Sequence, residues 1–269
     1  MTGKIKEIIK ERAFSSPVLS AISASLFAVV IFSVPSLFVP IVSEGGLFAL
    51  NIVCRTVAFL LALFLARACG FKLFNKPNAA ASAILLFFLG LLVCVNNFPI
   101  IGFAAGDVWI VRDRGIARFI FYCVAIGVSE EFVFRGFVMP LIGHKLAGNP
   151  RAAFWTVALS AAIFSFCHLF NIFSAGVVPT LLQAGYTFLT GCLFGTIFLF
   201  TENIVFPILL HAVYDVGGLI FSEPFGIAVG DMWNVYTIII TAVLGVFAAA
   251  VFAVKLWKYK SDGRSETQK

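Results

Sequence analysis

The chain has 269 residues, of which 61% are hydrophobic and only 12% are charged. Soluble domains contain about 45–50% apolar and about 25% charged residues, and a water-soluble core of this length cannot bury so large an apolar fraction. The net charge of +6 does not indicate nucleic-acid binding, because Lys and Arg stand in short clusters between apolar runs, as in the loops of membrane proteins. The composition predicts a polytopic membrane protein.

Eight apolar segments follow one another along the chain, each about the length that a helix needs to cross a bilayer. Over such lengths in lipid a helix satisfies its own backbone hydrogen bonds, so the expected fold class is all-α with about eight transmembrane helices. Turn residues such as Gly45-Gly46 and Gly148-Asn149-Pro150 stand in the breaks. The segments cover about 18–42, 46–69, 79–102, 117–142, 152–172, 177–200, 204–222 and 232–257.

The distribution of basic residues predicts the orientation. A cytoplasmic N-terminus and eight spans place the C-terminus in the cytoplasm too, and most Lys and Arg residues then fall on that side. The expected parts are a basic cytoplasmic segment (1–17), three helices and a loop (18–116), a core of four helices (117–222), and a last helix with a cytoplasmic tail (223–269). Within the second part, 103–116 is either a loop or an interfacial segment. Short loops and small size favour a bacterial plasma membrane.

Six cysteines lie inside or at the ends of the apolar segments, and no CxxC pair occurs. We expect them to be buried small apolar side chains, neither paired in disulfides nor bound to metal.

Ionisable residues inside a span are costly, so they usually face the interior of a helix bundle and serve a function. In the fourth segment Glu131 and Arg135 stand four residues apart, on one helix face, and are predicted to form an ion pair. Glu130 is rotated by about 100° from Glu131, cannot share that ion pair well, and is expected to be left poorly paired. The fifth segment ends with His168, and the seventh places His211 and Asp215 four residues apart. A further charge, Arg55, lies in the second segment.

A carboxylate and two imidazoles from packed helices form a plausible hydrolytic site. The Glu can deprotonate a water, one imidazole can share the proton, and the other imidazole with its neighbour can stabilise the developing oxyanion. The same set, Glu130, His168, His211 and Asp215, is also compatible with Zn²⁺ or another divalent metal that activates the water.

These motifs resemble those of the CAAX-processing and bacteriocin-processing intramembrane endopeptidases, known as the CPBP or Abi family. That family is marked by EExxxR, FxxxH and HxxxN or HxxxD on successive transmembrane helices. The matching stretches here are EEFVFR from Glu130 to Arg135, FSFCH ending at His168, and HAVYD from His211 to Asp215. The resemblance covers about 117–222 and implies that these four helices are the catalytic core.

The resemblance implies a role for each matched residue. Glu130 activates the water with His168 as partner, Glu131 and Arg135 hold Glu130 in place, and His211 with Asp215 stabilises the oxyanion. One departure stands at the last position. Members that cleave prenylated CAAX proteins carry Asn there, and an ionised Asp215 would repel an oxyanion.

The expected function is hydrolysis of a membrane-embedded or lipid-modified peptide that enters from the lipid, without a required cofactor. Three alternatives are a zinc-type metalloprotease that uses the same residues, a non-catalytic immunity or scaffold protein, and a proton- or cation-coupled transporter. The expected partners are membrane lipids and the peptide substrate, not nucleic acid. The oligomeric state and the substrate sequence are not predicted.

Overall fold

The computed structural model describes residues 2–76, 80–111, 115–222, 224–230 and 235–259, and most of them are helical. The α-helices are α1 Thr2–Ser15, α2 Pro17–Ser33, α3 Glu44–Ala68, α4 Ala80–Val95, α5 Ile100–Ala105, α6 Ile116–Val133, α7 Met139–Lys145, α8 Ala152–His168, α9 Ile172–Ala175, α10 Val177–Thr201, α11 Val205–Gly218 and α12 Val235–Lys258. Short 3₁₀ turns, Val34–Phe38 and Leu169–Asn171, extend α2 and α8. The six cysteines are free, and four of them are buried.

Five helical segments are long and apolar enough to cross a membrane: Pro17–Phe38, Glu44–Ala68, Ala152–Ala175, Val177–Thr201 and Val235–Lys258. Two shorter apolar helices are Ala81–Val95 and Val205–Gly218. The remaining predicted span corresponds to the continuous helical run from Ile116 to Lys145, which contains Glu130, Glu131 and Arg135. The all-α polytopic membrane class is therefore confirmed. The exact count of eight crossings stays a prediction.

The third predicted segment is not one helix. It breaks between α4 and α5, where the side chain of Asn97 donates to the backbone oxygen of Tyr214 over 2.8 Å and that of Asn96 donates to Thr241 over 2.8 Å. The segment 103–116 contains regular structure, and whether it lies at the membrane interface stays a prediction. After α5 the strand β1, Val108–Ile110, pairs antiparallel with β2, Ala228–Gly230. Residues 112–114 lie outside the described residues.

The fourth segment contains a local change of helix type. The helix widens into one π turn, Phe134–Val138, between α6 and α7. Pro140 is the second residue of α7, two positions after the π turn, and because proline has no N–H to donate to the carbonyl four residues earlier, one α-helical hydrogen bond is missing there. Single π turns inside α-helices are frequent at functional sites, and this one contains Arg135.

Two glycines allow helices around the motif residues to pack closely, α6 against α11 and α8 against α10. A Cβ atom on Gly127 of α6 would lie 3.2 Å from the backbone nitrogen of Ala212 in α11. A Cβ atom on Gly191 of α10 would lie 3.0 Å from the Cβ of Ala161 in α8. Since larger residues would push these helices apart, the glycines fix the close packing on which the site depends.

We expect Gly127→Leu to destabilise the protein by about 1–3 kcal/mol or more, because the new side chain meets backbone atoms of α11 that cannot move aside. Thermal unfolding in detergent measures the change. Gly245→Leu in α12 is the matched control, since a Cβ there meets no atom within 4 Å. Equal unfolding temperatures for the two variants would contradict this account of the α6–α11 contact.

Candidate active site

Glu131 lies at the centre of a buried charge cluster. Its side chain is 0% exposed, and its Oε1 atom accepts from the guanidinium of Arg135 at 2.8 Å. The same oxygen lies 2.7 Å from Nδ1 of His211. The ion pair expected from the i, i+4 spacing is present, and it is joined by an imidazole from α11. Because a carboxylate only accepts, Nδ1 of His211 is the donor in this contact.

Arg135 is held by three kinds of contact. Besides the pair with Glu131, its guanidinium donates to the backbone oxygen of Gly191 over 3.1 Å and lies 4.8 Å from the ring centre of Phe164. The close approach at Gly191 brings this carbonyl within reach of the guanidinium. One side chain thus connects the π turn, α8 and α10.

Glu130 is not left without a cationic partner, so that part of the sequence interpretation is wrong. Arg55 of α3 donates to Oε1 of Glu130 over 3.3 Å and to the hydroxyl of Ser129 over 3.3 Å. The side chains of Glu130 and Arg55 are 12% and 11% exposed. The spacing along the helix excluded Arg135 as the partner of Glu130, and the counterion, Arg55, comes from α3 instead.

The other oxygen of Glu130 faces His211. Oε2 lies 3.8 Å from Nε2 of His211, and Oδ2 of Asp215 lies 3.6 Å from the same nitrogen. The imidazole ring stacks on Phe194, with ring centres 5.1 Å apart and an interplanar angle of 27°. His211 is therefore fixed in its plane by Phe194 and in its rotation by Glu131, with Nε2 directed between two carboxyl groups.

His168 lies at the end of α8 and is close enough to Glu130 to interact electrostatically. Its Nδ1 atom lies 3.0 Å from the backbone oxygen of Phe164, which can only accept. In the neutral ring the proton is therefore on Nδ1, and Nε2 carries the lone pair. Phe164 packs edge-on between the imidazoles, 4.8 Å from the ring centre of His168 and 6.1 Å from that of His211.

Four helices, α3, α6, α8 and α11, thus contribute charged or imidazole groups to one region. The motif residues of the predicted core lie on three of these helices, whereas Arg55 on α3 belongs to no motif and had no predicted role. The available signal was its position: an arginine in the middle of a 25-residue apolar helix needs a counterion. Spacing along one helix could not identify which carboxylate on another helix it contacts.

No metal-binding geometry is preformed in the described part of the chain, where no group of three or more His, Cys, Asp or Glu side chains is arranged to hold an ion. The Nδ1 atoms of His168 and His211 are directed to other groups, which leaves their Nε2 atoms as the nitrogens that a cation would use. The guanidinium of Arg55 lies against Oε1 of Glu130, so a metal at this carboxylate would stand close to a fixed positive charge.

The fold and this cluster define an integral membrane protein with a buried site of carboxylates, imidazoles and guanidinium groups. Residues 113–217 match the family model described as Type II CAAX prenyl endopeptidase Rce1-like. The match spans less than half of the chain and contains all six motif residues from Glu130 to Asp215, whereas Arg55 lies outside it. It confirms the resemblance to CAAX-processing enzymes, which at the level of the family implies a CAAX-type peptidase. No curated protein and no solved structure matches significantly.

The neighbouring carboxylates should differ in their effect on stability. Glu131→Gln removes the charge between Arg135 and His211 in a fully buried place, and breaking such a pair costs about 3–5 kcal/mol. Glu130→Gln removes a longer contact of a partly exposed group and should cost clearly less. Thermal unfolding of the two variants in detergent tests this order, and the reverse order would show that Glu131 is not the structural carboxylate.

Proposed function

We propose that the protein is an intramembrane endopeptidase that hydrolyses a peptide bond of a membrane-embedded or lipid-modified, CAAX-like peptide with a water activated by Glu130. The observation that carries the proposal is the orientation of Glu130. One oxygen is held by Arg55, and the other lies 3.8 Å from His211 in the region that also contains His168. A carboxylate with one fixed and one available oxygen is suited to general-base catalysis.

In the proposed reaction, Glu130 takes a proton from a water as the water oxygen bonds to the scissile carbonyl carbon. The carbonyl π electrons move to oxygen and form an oxyanion. When the oxyanion collapses, the carbon–nitrogen bond breaks, and the proton held by Glu130 passes to the leaving amine. Nε2 of His168, which carries the lone pair in the neutral ring, accepts a hydrogen bond from the water and orients it.

His211 stabilises the oxyanion. Its Nδ1–H donates to Glu131, so in the doubly protonated ring the Nε2–H is the group directed to the site. A fixed donor in an apolar site contributes more than the same group in water, because no solvent has to reorganise. Glu131 and Arg135 do not touch the reacting atoms in this proposal; they fix the imidazole of His211 and the helix that carries Glu130.

Asp215 acts through His211 in this proposal. Its carboxyl oxygen lies 3.6 Å from Nε2 of His211 and is buried without a hydrogen-bond partner among the described residues. A direct role as an oxyanion donor would require the protonated acid, whereas the orienting role works in either form. The difference between Asp215 and the Asn of prenyl-specific members therefore affects the strength of the oxyanion site, not its position.

The position of Glu130 within the apolar helices supports a substrate that reaches the site from the lipid. The peptide enters between helices from the lipid, while water reaches Glu130 from the cytoplasmic half of a bacterial plasma membrane. The N- and C-termini lie in the cytoplasm, as the basic residues at both ends favour. The reaction needs no metal, because a carboxylate base and a cationic donor supply the water activation and the oxyanion stabilisation.

The test is turnover of a panel of fluorogenic peptides, prenylated and unprenylated, by the protein purified in detergent. We expect Glu130→Gln and His168→Ala to lower kcat by about 10²–10⁴-fold, the usual contribution of general acid–base groups. Glu44→Gln, which changes a carboxylate at the exposed start of α3, should leave turnover unchanged. Normal turnover by Glu130→Gln would refute the proposal and favour a scaffold function.

The same assay with a chelator tests the metal-free mechanism. We expect full turnover after chelation and dialysis, because the fixed positive charge of Arg55 beside Glu130 disfavours a cation at this carboxylate. Loss of turnover that added Zn²⁺ restores would show that the metalloprotease alternative is correct.

A further inference from the structure

Arg55 lies outside the family-matched region, and the proposed reaction assigns it no step of its own. We propose that Arg55 is a positioning residue for the reaction: its guanidinium holds one oxygen of Glu130 and turns the other toward the water. The inference rests on the proposed function, and its structural part, the coupling between Arg55 and Glu130, can be measured without turnover.

The guanidinium is fixed from several sides. It lies 4.8 Å from the ring centre of Phe32 and 5.6 Å from that of Tyr122, and Nη1 contacts both Ser129 and Glu130 at 3.3 Å. Aromatic faces on a cation add to its stabilisation where water is excluded. An arginine held in this way is a rigid reference point for the carboxylate beside it.

The two guanidinium groups of the site contact different carboxylates. Glu130 is faced by Arg55 from α3, by His211 from α11 and by His168 from α8, while Arg135 and Glu131 approach from its own helix and Asp215 from α11. Arg135 is committed to Glu131 and to the oxygen of Gly191. Arg55 is therefore the guanidinium that contacts the proposed base.

The Nε atom of Arg55 supports a functional role for this charge. It is buried and has no hydrogen-bond partner among the described residues. A buried arginine with an unused donor is expensive to keep, and a packing role alone would be met by an apolar side chain of similar size. The arginine is explained if the charge itself is required beside Glu130.

The chain offers a matched control for this pair. Arg118 of α6 pairs with Glu44 of α3, so it joins the same two helices as Arg55 and Glu130, but at an exposed position away from the site. Exposed pairs of this kind contribute little to stability. Comparing the two pairs separates an effect on the site from an effect on helix docking.

The first experiment is a double-mutant cycle on the unfolding temperature, with Arg55→Gln, Glu130→Gln and the double variant. The inference predicts that the double variant is more stable than the sum of the single effects, and that the corresponding cycle with Arg118→Gln and Glu44→Gln shows a smaller coupling. Additive effects at Arg55 and Glu130 would overturn the inference. If Arg55→Gln alone does not fold, recovery of folding in the double variant supports the coupling, and failure to recover overturns it.

The second experiment measures turnover. Arg55→Gln should lower kcat by about 100-fold with little change in KM, because a misplaced base affects the chemical step more than binding. Arg55→Lys should retain part of kcat, and added guanidinium ion should restore part of kcat in Arg55→Gln, neither of which a purely structural role would allow. Arg118→Gln should match wild type in kcat. Equal loss in Arg55→Gln and Arg118→Gln, or an unchanged kcat, would overturn the positioning role. An inactive wild type would refute the proposed function, and the double-mutant cycle would still decide on the ion pair.

Discussion

The site depends on one buried carboxylate, Glu131, which accepts from Arg135 and His211 on the same oxygen. An isolated charge in this environment would be costly, so the three groups stabilise each other only while α6, the π turn and α11 stay packed together. The wider cluster is balanced in charge when His211 is protonated and all three carboxyl groups are ionised. Three cationic groups then face three carboxylates: Arg55, Arg135 and His211 against Glu130, Glu131 and Asp215.

Helix packing and electrostatics reinforce each other here. Gly127 lets α11 approach α6 at backbone distance, and Gly191 does the same for α8 and α10 while exposing its carbonyl to Arg135. The aromatic rings of Phe164 and Phe194 fill the space around the charges and keep the imidazoles in defined planes. Polar groups that are already oriented before a substrate binds stabilise a transition state more than groups that must first reorient.

The sequence predicted the parts of this structure that depend on local spacing. The apolar segments became helices, and Glu131 and Arg135 paired because residues four apart share a helix face. It did not predict the contact of Arg55 with Glu130, 75 residues away along the chain. Nor did it predict the pairing of residues 108–110 with 228–230. Both are contacts between distant segments, and periodicity within one segment contains no information about them.

The pairing of the adjacent carboxylates shows the same limit. The angle between them on the helix separated Glu131, which pairs with Arg135, from Glu130, and it left Glu130 unpaired because the partner lies on α3. Arg55 precedes the family-matched region, which begins at residue 113. The N-terminal part of the chain therefore contributes a charged side chain, from α3, to the candidate site.

The most direct test of the central claim is nitrogen NMR of protein labelled with ¹⁵N-histidine, which is practicable because the chain has three histidines. The account predicts that Nδ1 of His211 carries a proton in a strong hydrogen bond to a carboxylate. That signal should change in Glu131→Gln, while the Nδ1–H of His168, bonded to a backbone oxygen, should stay the same. A His211 signal that is identical in wild type and Glu131→Gln would contradict the account.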